Sequence, residues 1–558
     1  MPHSGLPSVV AAHRQTESMR IVLDRRPQGV AVIDESGVET LVGERDLAEF
    51  VLRREAEHPR WVWTDTAQWY PELLAAGVRV ERCHDLRLVD ALLSARAGRA
   101  PRRDWGGPRA AARADVLFEV EPDEPPAERP DPVQLLAEQR DEIAALPQSR
   151  DMTVLAAAES AGALAAAEMR HCGLPWSPVA HNALLTEALG ARPAPGKRPE
   201  RLQQLADEVE RLLGIGPVPI DSAPELVKAL RRAGLDVSST RSWELEKLDH
   251  PAIAPLLEYR SLYRLFTANG WNWLDEWVHD GRFRPVYVPG GVVTGRWATD
   301  GGGALQLPKQ VRSAVVADEG WMLVVADAAQ LEPRILAALS GDEAMARASA
   351  GVDLYAGIVA SGAVSSREHA KVGMLGAMYG GTTGESARVL PRLARAFPRA
   401  ISFVEEAARA GERGETVSTR LGRTSPKPPA SWRERQSAAA REGATEADVR
   451  AARSDARSWG RFTRNFVVQG TAAEWALTWI AGVRQRLWDA RLGPLEHQPH
   501  LVMFVHDELV VHCPTEYVAM AAAAMRDAAA EAARVVFGGT DVTFPVTVAA
   551  VDRYSDAK

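Results

Sequence analysis

Cysteine is scarce in this sequence: only three occur among its 558 residues, Cys83, Cys172 and Cys513. Because they are few and widely separated, they predict neither a disulfide framework nor a cysteine-based zinc cluster. Uncharged apolar runs are also short, and none reaches the roughly 18 residues that a membrane-spanning helix needs. These absences favour a protein that works in a reducing compartment and without a membrane partner.

The first twenty residues lack the basic segment and apolar core that direct a chain to export, so we expect a cytoplasmic protein. Hydrophobic residues make up 46% of the chain and charged residues 25%. These fractions are typical of globular proteins and exclude a wholly disordered or fibrous one. At roughly 100–200 residues per domain, the length predicts several folded units.

The net charge of -8 hides a local excess of the opposite sign. Residues 367–464 contain 19 Lys or Arg against 11 Asp or Glu, a surplus of eight positive charges. A basic segment within an acidic chain is typical of proteins with a phosphate-rich partner. A solvated helical face would give the same count, so charge alone leaves both interpretations open.

The chain divides into segments of different pattern. Short apolar runs alternate with helical patterns over residues 20–95, which predicts a small α/β domain. Five prolines and six acids crowd into residues 119–132, a composition that predicts a linker or an exposed loop. Residues 151–235 have a helical pattern. Residues 424–458 are rich in Arg, Ala and Ser and predict an exposed helical insertion.

Two carboxylates stand at the ends of predicted strands. The apolar run 321–327 ends on Asp327, and the two apolar runs within 501–513 predict a hairpin with Asp507 at its tip. Carboxylates that converge from separate strands make a hard-oxygen site suited to Mg²⁺. Taken singly, each aspartate would be an ordinary strand-end residue, so the interpretation depends on what surrounds them.

A helix is predicted to begin at the capping-box pair Ser365 and Glu368. Two cations, one apolar residue and one aromatic residue then recur every four positions and share one face: Arg367, Lys371, Leu375 and Tyr379. Such a face suits a nucleoside triphosphate, with the cations at the phosphates and the other two at the base and sugar. A surface helix with a partly buried tyrosine is the alternative.

Together and in this order, these residues resemble the motifs of the family A DNA polymerases, the group that includes bacterial DNA polymerase I. Three segments are similar to the two palm motifs and the fingers motif of that family: 327–334, 505–508 and 367–380. Residues 294–296, Thr-Gly-Arg, and the segment 461–473 resemble further family segments. The resemblance covers about residues 150–558.

The resemblance implies an α+β multidomain fold, the right-hand polymerase with palm, fingers and thumb, preceded by a small α/β ribonuclease H-like domain of the exonuclease type. The implied domains are a degenerate 3′–5′ exonuclease-like domain (1–118), a Pro- and acid-rich linker (119–150), the thumb (151–257), the first part of the palm (258–342), the fingers (343–460, with the insertion 424–458) and the second part of the palm (461–558). An antiparallel palm sheet would carry both aspartates.

The resemblance also implies catalytic roles. Asp327 and Asp507 would bind two Mg²⁺ ions, for which Mn²⁺ can substitute, and Glu508 would be a nearby, less essential carboxylate. Lys371 would hold the triphosphate with Arg367 and offset the charge that develops on the leaving pyrophosphate.

Further implied roles concern the nucleotide and the DNA. Tyr379 would stack near the nascent pair, and Glu332 would lie under the incoming sugar and exclude a 2′-hydroxyl. Leu375 stands where the family usually has Phe or Tyr, which should alter discrimination against dideoxynucleotides, and Tyr355 stands where a triphosphate-contacting His is usual. The residues implied to contact DNA are Arg296, Gln469, His506, Arg461 and Asn465.

The N-terminal region departs from an active exonuclease. That chemistry needs about four carboxylates, beginning with Asp-x-Glu on a strand, and residues 1–100 contain no Asp-x-Glu. Tyr70 is followed four positions later by Leu74 rather than Asp. We therefore expect a decayed metal site, with three nearby acids as the remaining candidates: Asp65, Asp85 and Asp90.

The sequence thus predicts a template-directed DNA polymerase that adds deoxynucleotides to a primer 3′ end, in repair, gap filling or damage bypass. Its expected partners are primer–template DNA and dNTPs, without a membrane, and it is expected to be a monomer associated with the nucleoid. The alternatives are a non-catalytic DNA-end-binding scaffold and a polymerase that retains 3′–5′ exonuclease activity.

Overall fold

The computed structural model of the chain describes residues 19–102, 105, 130–381, 384–488 and 494–557. Its helices are α1 (Leu47–Glu55), α2 (Thr66–Ala75), α3 (Leu86–Ala97), α4 (Pro132–Ala144), α5 (Ser149–Cys172), α6 (Pro178–Leu189), α7 (Glu200–Leu213), α8 (Ala223–Arg232), α9 (Ser242–Leu245), α10 (Ile253–Asn269), α11 (Trp271–Trp277), α12 (Leu331–Ser340), α13 (Glu343–Ala348), α14 (Leu354–Ala360), α15 (Arg367–Tyr379), α16 (Gly384–Ala396), α17 (Pro398–Glu412), α18 (Ala430–Ala439), α19 (Glu446–Trp488) and α20 (Val518–Phe537).

The strands are β1 (Arg20–Arg26), β2 (Gly29–Ile33), β3 (Glu39–Val42), β4 (Arg60–Trp63), β5 (Arg82–Asp85), β6 (Leu174–Pro175), β7 (Val278–His279), β8 (Arg282–Phe283), β9 (Tyr287–Val288), β10 (Ala298–Thr299), β11 (Trp321–Ala328), β12 (His500–Val505), β13 (Glu508–Pro514) and β14 (Val546–Val551). The chain forms two compact units. The first comprises residues 1–172, 286–301 and 320–550, and the second 173–285, 302–319 and 551–558.

The small α/β domain predicted for residues 20–95 is present in the first unit. Its five-stranded sheet has the order β3-β2-β1-β4-β5. The first three strands are antiparallel, and β4 and β5 run parallel to β1. Trp61 and Trp63 on β4 are fully buried, because aromatic side chains remove a large apolar area from water.

The predicted linker 119–150 needs correction in its second half. Residues 119–129 lie outside the described residues, but Pro132–Ala144 forms helix α4, which packs on α3 and on β1 and β4. Leu135 and Leu136 bury their side chains there, and Asp131 caps the helix through hydrogen bonds from the amides of residues 133 and 134. This segment is therefore folded rather than a connector.

A second, four-stranded sheet in the first unit carries the predicted carboxylates. Its order is β12-β13-β11-β14, and β13 is antiparallel to both β11 and β12. The hairpin around Asp507 is as predicted, and the predicted strand 321–327 is present but extends one residue further, to Ala328. Helix α20 packs on β11 and β13, and the 43-residue helix α19 packs on α20 and β12.

The second unit contains helices α6–α11 and a three-stranded sheet of order β6-β8-β7. Its core includes an aromatic cluster in which Trp273 lies 5.1 Å from Trp176 and 4.9 Å from Phe283, measured between ring centroids. The predicted thumb, 151–257, begins inside α5, which belongs to the first unit, and the predicted boundary at 460/461 falls inside α19. The domain limits therefore remain a prediction.

None of the described helices combines sufficient length with sufficient apolar character to cross a bilayer.

Candidate active site

Asp327 and Asp507 lie on neighbouring strands at one end of the four-stranded sheet. Asp327 is the last paired residue of β11 and lies opposite Glu508 on β13, while the amide of Ala328 donates to the carbonyl of Asp507 at 2.9 Å. Both aspartates are half-buried and Glu508 is buried. The backbone therefore brings the positions of Asp327 and Asp507 next to each other, as the predicted metal site requires.

The hairpin that carries Asp507 turns through a strained residue. Val505 pairs with Glu508, so His506 and Asp507 form a two-residue connection. His506 has a φ of 56°. A φ in this left-handed region costs a non-glycine residue about 1–2 kcal/mol, and such residues concentrate at functional sites. Gln330, with a φ of 47°, is a second example beside the same cavity, and the sequence pattern gave no sign of it.

The donor set at Asp327 and Asp507 fits a hard divalent cation, because carboxylate oxygens are the ligands that Mg²⁺ prefers. The described residues contain no group of three or more His, Cys, Asp or Glu side chains arranged to enclose a metal ion. A site with few protein carboxylates is the kind in which water and substrate phosphates complete the coordination of Mg²⁺.

Helix α15 presents the predicted stripe to solvent. Arg367, Lys371, Leu375 and Tyr379 are all exposed, the last two at 37% and 40%. The opposite face packs on α16 so closely that a Cβ atom on Gly373 would lie 2.6 Å from carbons of Val389 and Leu393. The packed face fixes which side of the helix is free, and the free side is the one with the cations.

The predicted start of α15 is wrong by one residue. Ser366, rather than Ser365, is the cap, and its hydroxyl accepts a hydrogen bond from the amide of His369 at 3.2 Å. Ser365 instead contacts Nδ1 of His369 at 3.0 Å. Two adjacent serines offer the same local signal, so the sequence could not distinguish between them.

Glu332 connects three elements of the site. Its carboxylate accepts a hydrogen bond from the hydroxyl of Tyr379 at 2.6 Å and forms an ion pair with Arg296. Burial raises the pKa of Tyr379, and the hydrogen bond to Glu332 raises it further. The tyrosine is therefore a stable proton donor at neutral pH. Burial and the nearby Arg296 guanidinium lower the pKa of His506.

Glu332, Arg296 and His506 line a cavity of about 180 Å³. Six of the predicted site residues line it: Arg296, Glu332, Tyr355, Leu375, His506 and Asp507. Residues 472, 473, 476 and 477 of α19 form another part of its wall. The cavity therefore joins residues of the palm motifs, the fingers helix and the Thr-Gly-Arg segment.

Arg367 has a partner that the sequence did not suggest. Its Nε atom lies 2.7 Å from Asp353 Oδ2, and its guanidinium lies 5.4 Å from the centre of the Tyr355 ring. Partial burial alone would raise the pKa of Asp353, but the hydrogen bond from Arg367 lowers it overall. Burial raises the pKa of Tyr355 to about 12. Asp353 is 14 residues from Arg367 in the chain, and their contact depends on tertiary structure.

The predicted DNA-contacting residues of α19 lie along the helix beside the end of α15. A Cβ atom on Gly380 would meet Cγ of Arg461 at 2.8 Å. The Gln469 side chain lies near Tyr379 and lowers its pKa against the larger effects of burial and Glu332. Oδ1 of Asn465 is buried and has no hydrogen-bond partner among the described residues. An unsatisfied buried oxygen of this kind favours an additional binding partner.

Two buried arginines, which the sequence did not single out, support the site. Arg334, fully buried, donates to backbone carbonyls that include those of Ala329 and Gly351 at 2.8 Å. Arg423 pairs with the buried Glu159 on α5 and lies against Gly295, whose φ is 86° and where a Cβ atom would be only 2.4 Å from Arg423 Nε. Glycine at 295 therefore allows the backbone beside Arg296 to approach Arg423.

Known proteins similar to this chain include two bacterial DNA polymerase I proteins. DNA polymerase I of Chloroflexus aurantiacus is 27% identical over 371 residues, covering 58% of this chain and 37% of that protein. Thermostable DNA polymerase I of Thermus filiformis is 29% identical over 368 residues, covering 59% of this chain and 41% of that protein. The matched part is therefore less than half the length of these curated relatives.

The chain also resembles a solved structure over its whole length. The POL domain of Pol1 from M. smegmatis, in complex with DNA primer-template and dNTP, has a TM-score of 0.69 and 20% identity, with coverage of 100% of this chain and 99% of that one. This likeness confirms the predicted fold class, the right-hand polymerase. The family model described as DNA polymerase family A matches residues 196–556, and the chain therefore belongs to DNA polymerase family A.

Proposed function

We propose that this protein is a template-directed DNA polymerase that adds deoxynucleotides to a primer 3′ end by two-metal-ion nucleotidyl transfer. One observation carries the proposal. A single cavity is lined by Asp507, beside Asp327 on the neighbouring strand, by Glu332, and by Leu375 from the cation-bearing face of α15. Palm carboxylates and a phosphate-binding helix are the two components that phosphoryl transfer requires.

The chain's own residues would divide the work at this site. Asp327 and Asp507 would hold the divalent ions, which, when bound, activate the attacking 3′-hydroxyl and stabilise the leaving oxygen. Lys371 and Arg367 would bind the triphosphate and offset the charge on the departing pyrophosphate. For Arg367 this requires exchange of its ion pair with Asp353 for one with phosphate.

Discrimination between sugars would depend on Glu332. Its carboxylate is held by Tyr379 on one side and by Arg296 on the other, so it cannot easily move away from a 2′-hydroxyl. A fixed group that excludes the wrong substrate gives specificity without additional affinity for the right one.

Contacts with the primer–template would come from Arg296, His506 and the face of α19 that carries Arg461, Asn465 and Gln469. The buried, unsatisfied Oδ1 of Asn465 supports a polar ligand there. The solved relative was determined with DNA primer-template and dNTP, and we extend those two partners to this chain.

The experiment is primer extension on a 5′-labelled primer–template with Mg²⁺ and all four dNTPs. Asp507→Ala should lower the extension rate by about 10³-fold or more, since metal-assisted charge stabilisation is worth several kcal/mol. The matched control is Asp527→Ala, which removes an exposed carboxylate on α20. If neither the wild type nor the control extends the primer although both bind it, the DNA-end-binding scaffold replaces this proposal.

We further propose that the N-terminal domain has lost 3′–5′ exonuclease activity, which would favour a role in repair, gap filling or damage bypass. Its three candidate acids have structural partners. Asp65 and Asp85 cap α2 and α3, and Asp90 lies 3.4 Å from Nε of Arg102. Incubation of the labelled primer with Mg²⁺ but without dNTPs tests this, because shortening of the label would reveal a retained nuclease.

A further inference from the structure

The N-terminal part of α19 buries few of its side chains. From Gly460 onward the helix buries residues in nearly every turn, but between Glu446 and Trp459 only Ala452 is buried. This part packs on α18, where Gln436 donates to the carbonyl of Ala452 at 2.8 Å and Arg435 pairs with Asp455. The other side of this segment faces solvent.

Four arginines share that solvent side: Arg450, Arg453, Arg457 and Arg461. At 3.6 residues per turn they fall within roughly 80° of one another, opposite the Ala452 and Asp455 side that contacts α18. All four are exposed. We call these four residues the arginine stripe. The stripe is about 17 Å long at 1.5 Å per residue, and Asn465 and Gln469 follow it farther round the helix.

Most of the stripe is without counter-charges among the described residues. Arg450 forms an exposed ion pair with Glu446 at 3.2 Å. Arg453, Arg457 and Arg461 form no ion pair with the described residues, whereas the nearby Arg464 pairs with Glu405 at 2.5 Å. Adjacent cations without counter-charges repel one another, and an anionic partner would offset that repulsion.

The position of the stripe indicates which part of a DNA substrate it would meet. Farther along α19, Ala473 lines the cavity next to the strands with Asp327 and Asp507, where the primer end and the duplex behind it would lie. Arg461 lies against Gly380 at the end of α15. From there the stripe runs away from those strands, along the part of α19 that packs on α18. With the primer end placed there, a strand that continued past the nascent pair in this direction would be the template that has not yet been copied.

We propose that the arginine stripe binds the phosphate backbone of the single-stranded template ahead of the nascent pair. The proposal rests on the polymerase function proposed above and assigns a role to the helical insertion. Guanidinium groups at one-turn intervals suit phosphate contacts, which fix the path of a strand without reading its sequence.

The test is binding without nucleotides, measured by fluorescence anisotropy on two primer–templates that share one duplex. One has a single-nucleotide template overhang and the other a long one of about ten nucleotides. Arg453→Ala/Arg457→Ala should raise Kd roughly tenfold for the long overhang at 0.1 M salt and reduce the slope of log K against log salt by about 1.4. Binding to the short overhang should stay within twofold.

Two matched variants test whether the loss of affinity depends on the position of the arginines and on their positive charge. Arg433→Ala/Arg441→Ala removes two exposed arginines of the α18 region and should leave both affinities unchanged. Arg453→Lys/Arg457→Lys should restore most of the lost affinity, because a phosphate contact needs the positive charge.

If Arg453→Ala/Arg457→Ala weakened binding to both substrates equally, the contact would be with the duplex, and the proposal would be overturned. Unchanged binding to the long overhang would overturn it as well. Failure of the polymerase proposal would be recognised separately, as a wild-type protein that binds these substrates but does not extend the primer.

Discussion

The hydroxyl of Tyr379 donates a 2.6 Å hydrogen bond to Glu332, whose other carboxylate oxygen accepts from Arg296. These three side chains come from helix α15, from the first turn of α12 and from the turn before β10. Hydrogen bonds to an ionised carboxylate are shorter and about twice as strong as neutral ones. The network therefore fixes Glu332 at the cavity wall and couples it to the helix that would bind the nucleotide.

Removing this carboxylate should relax sugar discrimination. Glu332→Ala is expected to raise the ratio of ribonucleotide to deoxynucleotide incorporation by at least about tenfold, equivalent to about 1.4 kcal/mol, because the group proposed to exclude the 2′-hydroxyl is gone. The measurement is kcat/KM for one ribonucleotide and the matching deoxynucleotide on the same primer. Glu343→Ala, an exposed glutamate of α13, is the control. An unchanged ratio would show that another residue excludes ribonucleotides.

The ion pair between Arg367 and Asp353 should compete with the triphosphate for Arg367. Asp353→Asn removes the carboxylate charge but keeps an oxygen that can cap α14, where Asp353 accepts from the amides of residues 355 and 356. We expect KM for dNTP to fall by about twofold at low salt, with the effect lost at high salt because exposed charges are screened. A rise in KM would mean instead that Asp353 positions Arg367 for the phosphates.

Acid stability should depend on the buried pair of Glu168 and Arg484. Burial alone would raise the pKa of Glu168, but Arg484 and Arg79 lower it to about 2. A carboxylate with a lowered folded-state pKa stabilises the protein above its unfolded pKa, here 4.5, and this contribution disappears as the pH falls from about 4.5 to 2. The contribution is about 3 kcal/mol.

Glu168→Gln should therefore destabilise the fold most at neutral pH, with the difference from wild type narrowing below about pH 4.5. Denaturant unfolding at several pH values measures it, and the exposed Glu343→Gln serves as the control. A difference that is constant with pH would mean that packing, rather than ionisation, stabilises this contact.

The sequence predicted the elements whose signals are local. The strand that carries Asp327, the hairpin around Asp507 and the solvent face of α15 all follow from periodicity and turn residues within short windows. Helix α4 was missed because the prolines and acids before it dominate the composition. Its apolar residues Leu135 and Leu136 have meaning only beside the sheet on which they pack.

Long-range pairs were beyond such reasoning. Glu168 and Arg484 are 316 residues apart in the chain, and Glu159 and Arg423 are 264 apart. Nothing in the local pattern distinguishes these arginines from the many exposed ones. Their partners exist only once α5 has packed against the other helices and strands of its unit.

At His506, effects on stability and on DNA binding can be measured separately, because its backbone is strained while its side chain lines the cavity. Glycine at this position removes a conformational cost of about 1–2 kcal/mol but adds about 0.5–1 kcal/mol of chain entropy lost on folding. His506→Gly should therefore stabilise the protein by about 0.5 kcal/mol and yet raise KM for primer–template.

The control is Asp280→Gly. Asp280 has a φ of 53° and does not line the cavity. It should give a similar gain in stability, measured by denaturant unfolding, with unchanged extension kinetics. Unchanged KM in His506→Gly would show that the strained turn serves to orient Asp507 rather than to contact DNA through the imidazole.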